Sequence, residues 1–148
     1  MTTEEMTITN RRDNIAQVLR RVDELGALHH LPPNVLADMG VALDEVLANI
    51  IRYAYSDEGV HEIRIRLTVG DGVLEAEIED DGNPFNPLTI PRPHLAGSLR
   101  ERSIGGLGIH FVKNLMSEVA YSFAGNRNRL VLKKHLTHRT EADTRGPA

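Results

Sequence analysis

Glu45 and Asn49 stand four residues apart in a stretch, Asp44 to Tyr55, that reads as a well-divided helix, so both side chains fall on one polar face, one turn apart. A carboxylate there accepts a proton from an attacking hydroxyl or water, and a neutral amide oxygen binds Mg2+ without adding charge. Asp80 ends an alternating segment in which Leu74, Ala76 and Ile78 share one side. Period two puts Asp80 with them and turns Glu79 and Asp81 away. A carboxylate on an apolar face needs a donor, and an adenine amino group is one. Gly82 follows two residues later, and Gly105-Gly106-Leu107-Gly108 precedes another helical stretch, where permissive dihedrals and exposed N–H groups approach phosphate closely. Together these residues make a nucleotide-site constellation.

Each sign also has a plainer meaning when taken alone. The Glu45–Asn49 pair suits the solvated face of an amphipathic helix, Asp80 suits the rim at a strand end, and the glycine run suits a flexible connector. The glycines form neither a Walker A sequence nor a Rossmann fingerprint, because no Lys-Ser/Thr follows and no leading βα unit is present. The seven histidines show no compact ligand spacing with carboxylates, so no structural zinc site is expected. Arg11-Arg12 and Arg20-Arg21 read as solvated helix charges, with a partner-binding face as the alternative.

The elements that must position these residues follow from periodicity. Met6 and Ile8 alternate with threonines in a first short strand. Ile15, Val18, Leu19, Val22 and Leu25 then recur at helical spacing, and Gly26 is expected to end that helix. After Pro32-Pro33 a second helix runs to about Tyr55, its buried stripe made by Leu43, Val46, Leu47, Ile50, Ile51 and Ala54, with Glu45, Asn49 and Arg52 opposite. Ile63, Ile65, Leu67 and Val69 mark a half-buried strand, and Gly70-Asp71-Gly72 offers a hairpin turn into the strand that ends at Asp80. Pro87, Pro91 and Pro93 make the region from Gly82 to Ser103 a long loop. A helix through Ile109, Val112, Leu115 and Met116, a strand at Val119 to Phe123, a turn at Gly125-Asn126 and a strand from Arg129 to Leu136 complete the order. The sequence β-α-α-β-β-loop-α-β-β predicts an α+β fold, a two-layer sandwich with helices on one face of a mainly antiparallel sheet.

At 148 residues the chain fits one domain, expected to span 1–137, with an unstructured tail at 138–148. Hydrophobic residues at 41% and charged residues at 26% are ordinary for a soluble globular protein. A net charge of -4 gives no broad footprint for nucleic acid. With no cysteine, disulfides and thiolate metal sites are excluded. No signal-peptide pattern and no 18-residue apolar run is present, so no membrane association and a cytoplasmic location are expected.

Three segments in order, Glu45-Val46-Leu47-Ala48-Asn49, Asp80-Asp81-Gly82-Asn83-Pro84-Phe85 and Gly105-Gly106-Leu107-Gly108-Ile109, resemble the N, G1 and G2 boxes of the GHKL (histidine-kinase-like) ATPase superfamily. The likeness covers about residues 6 to 136 and is nearest to the anti-sigma regulatory factor branch, small serine kinases of bacterial partner switching. It implies a Bergerat ATP-binding fold in which Asp80 recognises adenine, Asn49 coordinates Mg2+ and Glu45 is the catalytic base. Gly82, Gly105, Gly106, Leu107 and Gly108 would line the nucleotide, Asn128 would stand near adenine, and residues 86 to 104 would form the ATP lid. Two positions depart from the family pattern. Pro84 replaces the second glycine of Asp-x-Gly-x-Gly, where a fixed φ stiffens the lid hinge, and Arg52-Tyr53-Ala54-Tyr55 follows the first box where histidine or a glycine-rich end is common.

The resemblance implies an ATP- and Mg2+-dependent serine/threonine protein kinase that doubles as an anti-sigma factor. Its substrate would be a STAS-type anti-anti-sigma protein, with a sigma factor as a further partner and a homodimer as the expected assembly. The alternative is a non-catalytic, nucleotide-responsive binding module that sequesters a regulator.

Overall fold

The alternation of apolar residues every second position builds five strands in the computed structural model, which describes residues 1–89 and 107–136, with the backbone alone for 107–110. They are β1 (Thr2–Thr9), β2 (Glu62–Gly70), β3 (Val73–Asp80), β4 (Glu118–Ala124) and β5 (Arg127–His135). They form one sheet in the order β1-β2-β3-β5-β4, and each of the four pairings is antiparallel. Among the described residues three helices, α1 (Ile15–His29), α2 (Pro33–Tyr53) and α3 (Leu107–Leu115), accompany it, with short 3-10 turns at Arg12–Asn14 and Pro87–Thr89. The α+β sandwich expected from the sequence is therefore what the chain forms.

Both hairpins turn on two residues with positive φ, the type I′ geometry that matches strand twist. Asp71 and Gly72 have φ of 53° and 75°, and Gly125 and Asn126 have 59° and 60°. These turns fix the register. Ile65, Ile78 and Leu130 become cross-strand neighbours, as do Leu67, Ala76 and Leu132, and all six are buried. The helices cover this face. Leu25, Met39, Leu43 and Leu47 lie in the same core with almost no exposure, each such burial contributing roughly 1.5–3 kcal/mol relative to exposure.

The opposite face of the sheet carries charges in opposed rows. Glu77 receives Arg129 Nε at 2.7 Å and lies 3.6 Å from an Arg66 guanidinium nitrogen. Arg64 and Arg127 both approach Glu79, and Lys133 approaches Glu75. A one-residue slip would bury these rows and expose the core, so register is strongly specified.

Gly26 corrects one expectation. It does not end α1, which continues to His29 and is closed by His30 in the left-handed conformation at φ 53°. The glycine lies inside the helix because a Cβ there would come within 2.4 Å of Leu36 on α2, so its role is close helix packing. Its carbonyl accepts the Leu31 N–H at 2.9 Å across the turn. The expected tail at 138–148 lies outside the described residues, as does the 90–103 part of the expected loop.

Candidate functional site

The buried stripe of α2 is wider than its apolar residues alone suggest. Asn49, next to Ile50 and one turn from Val46, is 4% exposed, and its Nδ2 has no hydrogen-bond partner among the described residues. The polar face is thus not a solvated one at this residue. An unpaired buried amide costs about 1–3 kcal/mol, a deficit that a ligand removes. Because an amide flip exchanges its two ends, the same side chain serves as donor to a phosphate oxygen or as acceptor toward a cation.

One turn earlier on α2, Glu45 is half-buried. Burial first, and then the neighbouring Asp44 carboxylate, push its pKa above the ordinary value, while the Arg12 guanidinium opposes them. That direction suits a proton acceptor working nearer neutral pH. Glu45 and Ala54 are nine residues apart, about 14 Å along the helix axis, which spaces this carboxylate well away from the far end of α2.

At that far end β3 delivers Asp80, which is 1% exposed, while Asp81 is exposed. Strand parity therefore sorted the two carboxylates as expected. Asp80 Oδ1 accepts the Gly82 N–H at 2.8 Å and the Asn128 amide at 3.0 Å. Burial raises the Asp80 pKa most, and the donors Asn128 and Gly82 pull against it. Gly82 has a packing reason to be glycine, because a Cβ would stand 2.7 Å from the Ala54 carbonyl oxygen and 2.9 Å from Asp80 Oδ1. The Asn83 N–H donates to that same carbonyl at 2.8 Å, so the turn after β3 is docked on the end of α2.

Asn128 faces Asp80 directly across β5 and β3. Its Oδ1 accepts the Phe85 N–H at 2.9 Å and the Tyr121 hydroxyl. Its Nδ2 points to Asp80 Oδ1, to the Asn83 carbonyl at 2.8 Å and to the Gly82 carbonyl at 3.3 Å. The side chain expected near adenine is therefore the hub on which the turn from Gly82 to Phe85 is hung.

Two tyrosines escaped the sequence reading. Tyr121 lies on the inner face of β4 beside Leu130, and a phenol among aliphatic neighbours needs a polar partner, which was the available signal. Tyr55 stacks on His61 with ring centroids 4.4 Å apart, and its buried hydroxyl has no partner among the described residues. Its pKa is driven upward by burial and by the nearby Asp80 and Asp81 carboxylates. The departures from the family pattern also meet here. Tyr53 packs against Phe85 at 5.8 Å, and Arg52 lies over the Tyr53 ring at 5.5 Å.

Leu107 and Gly108 begin α3, which packs against α2, so their N–H groups belong to the first helical turn, which has no acceptor within the helix. Gly105 and Gly106 lie outside the described residues, as does the expected lid from residue 90 onward. What the described residues bring together is a line along α2. Glu45 and Asn49 lie in its C-terminal half, and the end of the helix meets the Asp80–Gly82 turn. An unpartnered buried amide and a buried carboxylate held by two donors fit a nucleotide with its cation.

Comparison with known proteins bears on the same line. The family model described as the histidine kinase-like ATPase domain matches residues 8–134. The serine-protein kinase RsbW of Bacillus velezensis is 31% identical over 93 residues, covering 57% of this chain and 55% of that protein. RsbW of Bacillus subtilis is 30% identical over 93 residues, with the same coverage of 57% and 55%. The serine/threonine-protein kinase BtrW of Bordetella bronchiseptica is 28% identical over 92 residues, covering 62% of this chain and 65% of that protein. The matches thus span between 55% and 65% of these curated relatives. Among solved structures, the RsbU and RsbW domains of Rv1364c from Mycobacterium tuberculosis share the fold. That likeness has a TM-score of 0.65 at 16% identity and covers 92% of this chain and 32% of that one.

Proposed function

Because the chain belongs to the histidine kinase-like ATPase family, we propose that it binds Mg2+-ATP along α2 and phosphorylates a serine or threonine of a STAS-type anti-anti-sigma protein, acting also as an anti-sigma factor. The observation that carries this reading is the buried, doubly donated Asp80 at the C-terminal end of α2 and the buried Asn49 amide, unpartnered among the described residues, about one turn before that end. The names of the curated relatives, serine and serine/threonine kinases, support the transfer step.

When bound, Mg2+-ATP supplies the phosphoryl group and the cation that neutralises its oxygens. Asp80 accepts from the adenine amino group, and Asn49 turns its amide oxygen to the cation. The first N–H groups of α3 and the glycines before it favour the phosphates. Glu45 takes the proton of the incoming hydroxyl as its oxygen bonds to phosphorus and the bond to the leaving ADP breaks. A homodimer, a sigma factor as second partner and a cytoplasmic setting complete the proposal.

Transfer of label from γ-labelled ATP to a STAS protein tests it. Wild type is expected to label the partner and Glu45→Ala to label it at least 100-fold more slowly, in the range a positioned general base contributes; equal labelling by both removes Glu45 from that role. Pro84 in the turn after Asp80 favours one other reading, a binding module that takes up nucleotide without transferring phosphate. Tight Mg2+-ATP binding with no labelled partner would support that reading.

A further inference from the structure

We propose that Tyr121, acting through Asn128, is a positioning residue that fixes Asp80 as an acceptor toward the bound base and thereby makes the site prefer a 6-aminopurine to a 6-oxopurine nucleotide. The inference rests on the nucleotide reading above and adds to it the group that enforces base choice.

The orientation of the Asn128 amide is set by chemistry. The Phe85 backbone N–H can only donate, and it lies 2.9 Å from one end of the amide, so that end is the oxygen. The Tyr121 hydroxyl donates to the same oxygen. The NH2 end therefore faces Asp80 Oδ1 at 3.0 Å and the Asn83 carbonyl at 2.8 Å, with the Gly82 carbonyl sharing at 3.3 Å. Both amide hydrogens are engaged, and the residue is 4% exposed. Asn128 has no hydrogen left for a base; its action on the nucleotide passes through Asp80.

Asp80 Oδ1 then receives two donors, the Asn128 amide and the Gly82 N–H. Hydrogen bonds of that kind favour the ionised carboxylate against the burial that opposes it. An ionised Asp80 can only accept. It pairs with an amino group at purine C6 and is repelled by a carbonyl oxygen in the same position. If the amide turned or was lost, burial would favour a protonated Asp80, and a protonated carboxyl donates to a carbonyl, so the two bases would be treated more alike.

Tyr121 is the outermost part of this chain of contacts. The contacts run from Tyr121 on β4, the edge strand, to Asn128 on β5, and from Asn128 to the Asp80 carboxylate on β3. Its hydroxyl and the Phe85 N–H together hold the amide oxygen. With the hydroxyl gone, the Phe85 N–H is the one donor left to the amide oxygen, and the hold of Asn128 on Asp80 weakens.

The test is calorimetric binding of Mg2+-ATP and Mg2+-inosine triphosphate to wild type, Tyr121→Phe and Asn128→Ala, with amide hydrogen exchange at Phe85 followed in the ligand-free proteins. Wild type is expected to favour ATP by roughly 10- to 100-fold, the range for one hydrogen bond to a charged group. Tyr121→Phe, which keeps the ring, should lower that ratio several-fold, mainly by weakening ATP, and Asn128→Ala should lower it further. Phe85 exchange should quicken in both. A structural role alone would weaken both nucleotides by the same factor. An unchanged ratio in a wild type that binds ATP overturns this inference and leaves the nucleotide site standing, whereas a wild type that binds neither nucleotide overturns both.

Discussion

Glu45 and Asn49 share one face of α2 yet meet different surroundings, and those surroundings decide what each can do. Asn49 is enclosed and Glu45 is half-buried beside Asp44 and Arg12. The acid limb of the phosphoryl-transfer pH profile should therefore lie above the ordinary glutamate value of 4.5, activity falling as pH drops and Glu45 takes up a proton. Asp44→Asn removes a charge that raises this pKa and should move the limb to lower pH. Arg12→Ala removes one that lowers it and should move the limb to higher pH. Initial rates measured across the acid range check both signs, and a limb that neither substitution moves would show that another group titrates. The residue types were legible in the sequence, and so was the parity that buries Asp80. The burial of Asn49 was not, because helical periodicity records one helix and not what is laid against it.

Gly82 and Gly26 show how an element assigns a residue its task. Glycine after β3 was expected to make room for a nucleotide. Its first requirement is room for the Ala54 carbonyl, where a Cβ would stand 2.7 Å away. Gly82→Ala should thus destabilise the protein in urea by about 1–3 kcal/mol, the usual cost of overpacking, since a backbone carbonyl cannot step aside as a side chain can. An unfolding midpoint equal to wild type would contradict that contact. Gly26 was misread for a related reason: its packing partner, Leu36, lies ten residues further on and in another helix. The strands and both hairpin turns were readable because period two and turn chemistry are local. The Tyr121–Asn128–Asp80 hub was not, because it depends on the register of three strands at once.

The whole molecule is a sheet with two unlike faces, one carrying the core and the site and the other carrying ion pairs. On the outer face Glu77 is held by Arg129 first, and by Arg66, so its pKa lies below the ordinary 4.5. A group depressed in this way stabilises the fold above its unfolded pKa and loses that contribution as pH falls through its folded pKa. Wild type should exceed Glu77→Gln in stability at pH 7, and the gap should close progressively below about pH 4.5. Urea unfolding at both pH values measures it, and a gap independent of pH would assign the effect to packing.

The fold class and the line of residues along α2 were legible from the three boxes and their spacing, while the expected lid from residue 90 onward and Gly105-Gly106 lie outside the described residues. The central claim is that Asp80 and Asn49 mark one nucleotide site. Its most direct test is calorimetric titration of Mg2+-ATP into wild type, Asp80→Asn and Glu45→Ala. The account predicts saturable one-to-one binding by wild type, binding at least 10-fold weaker for Asp80→Asn because the acceptor charge is lost, and near-normal binding for Glu45→Ala. No heat of binding in wild type, or equal affinity in wild type and Asp80→Asn, would contradict it.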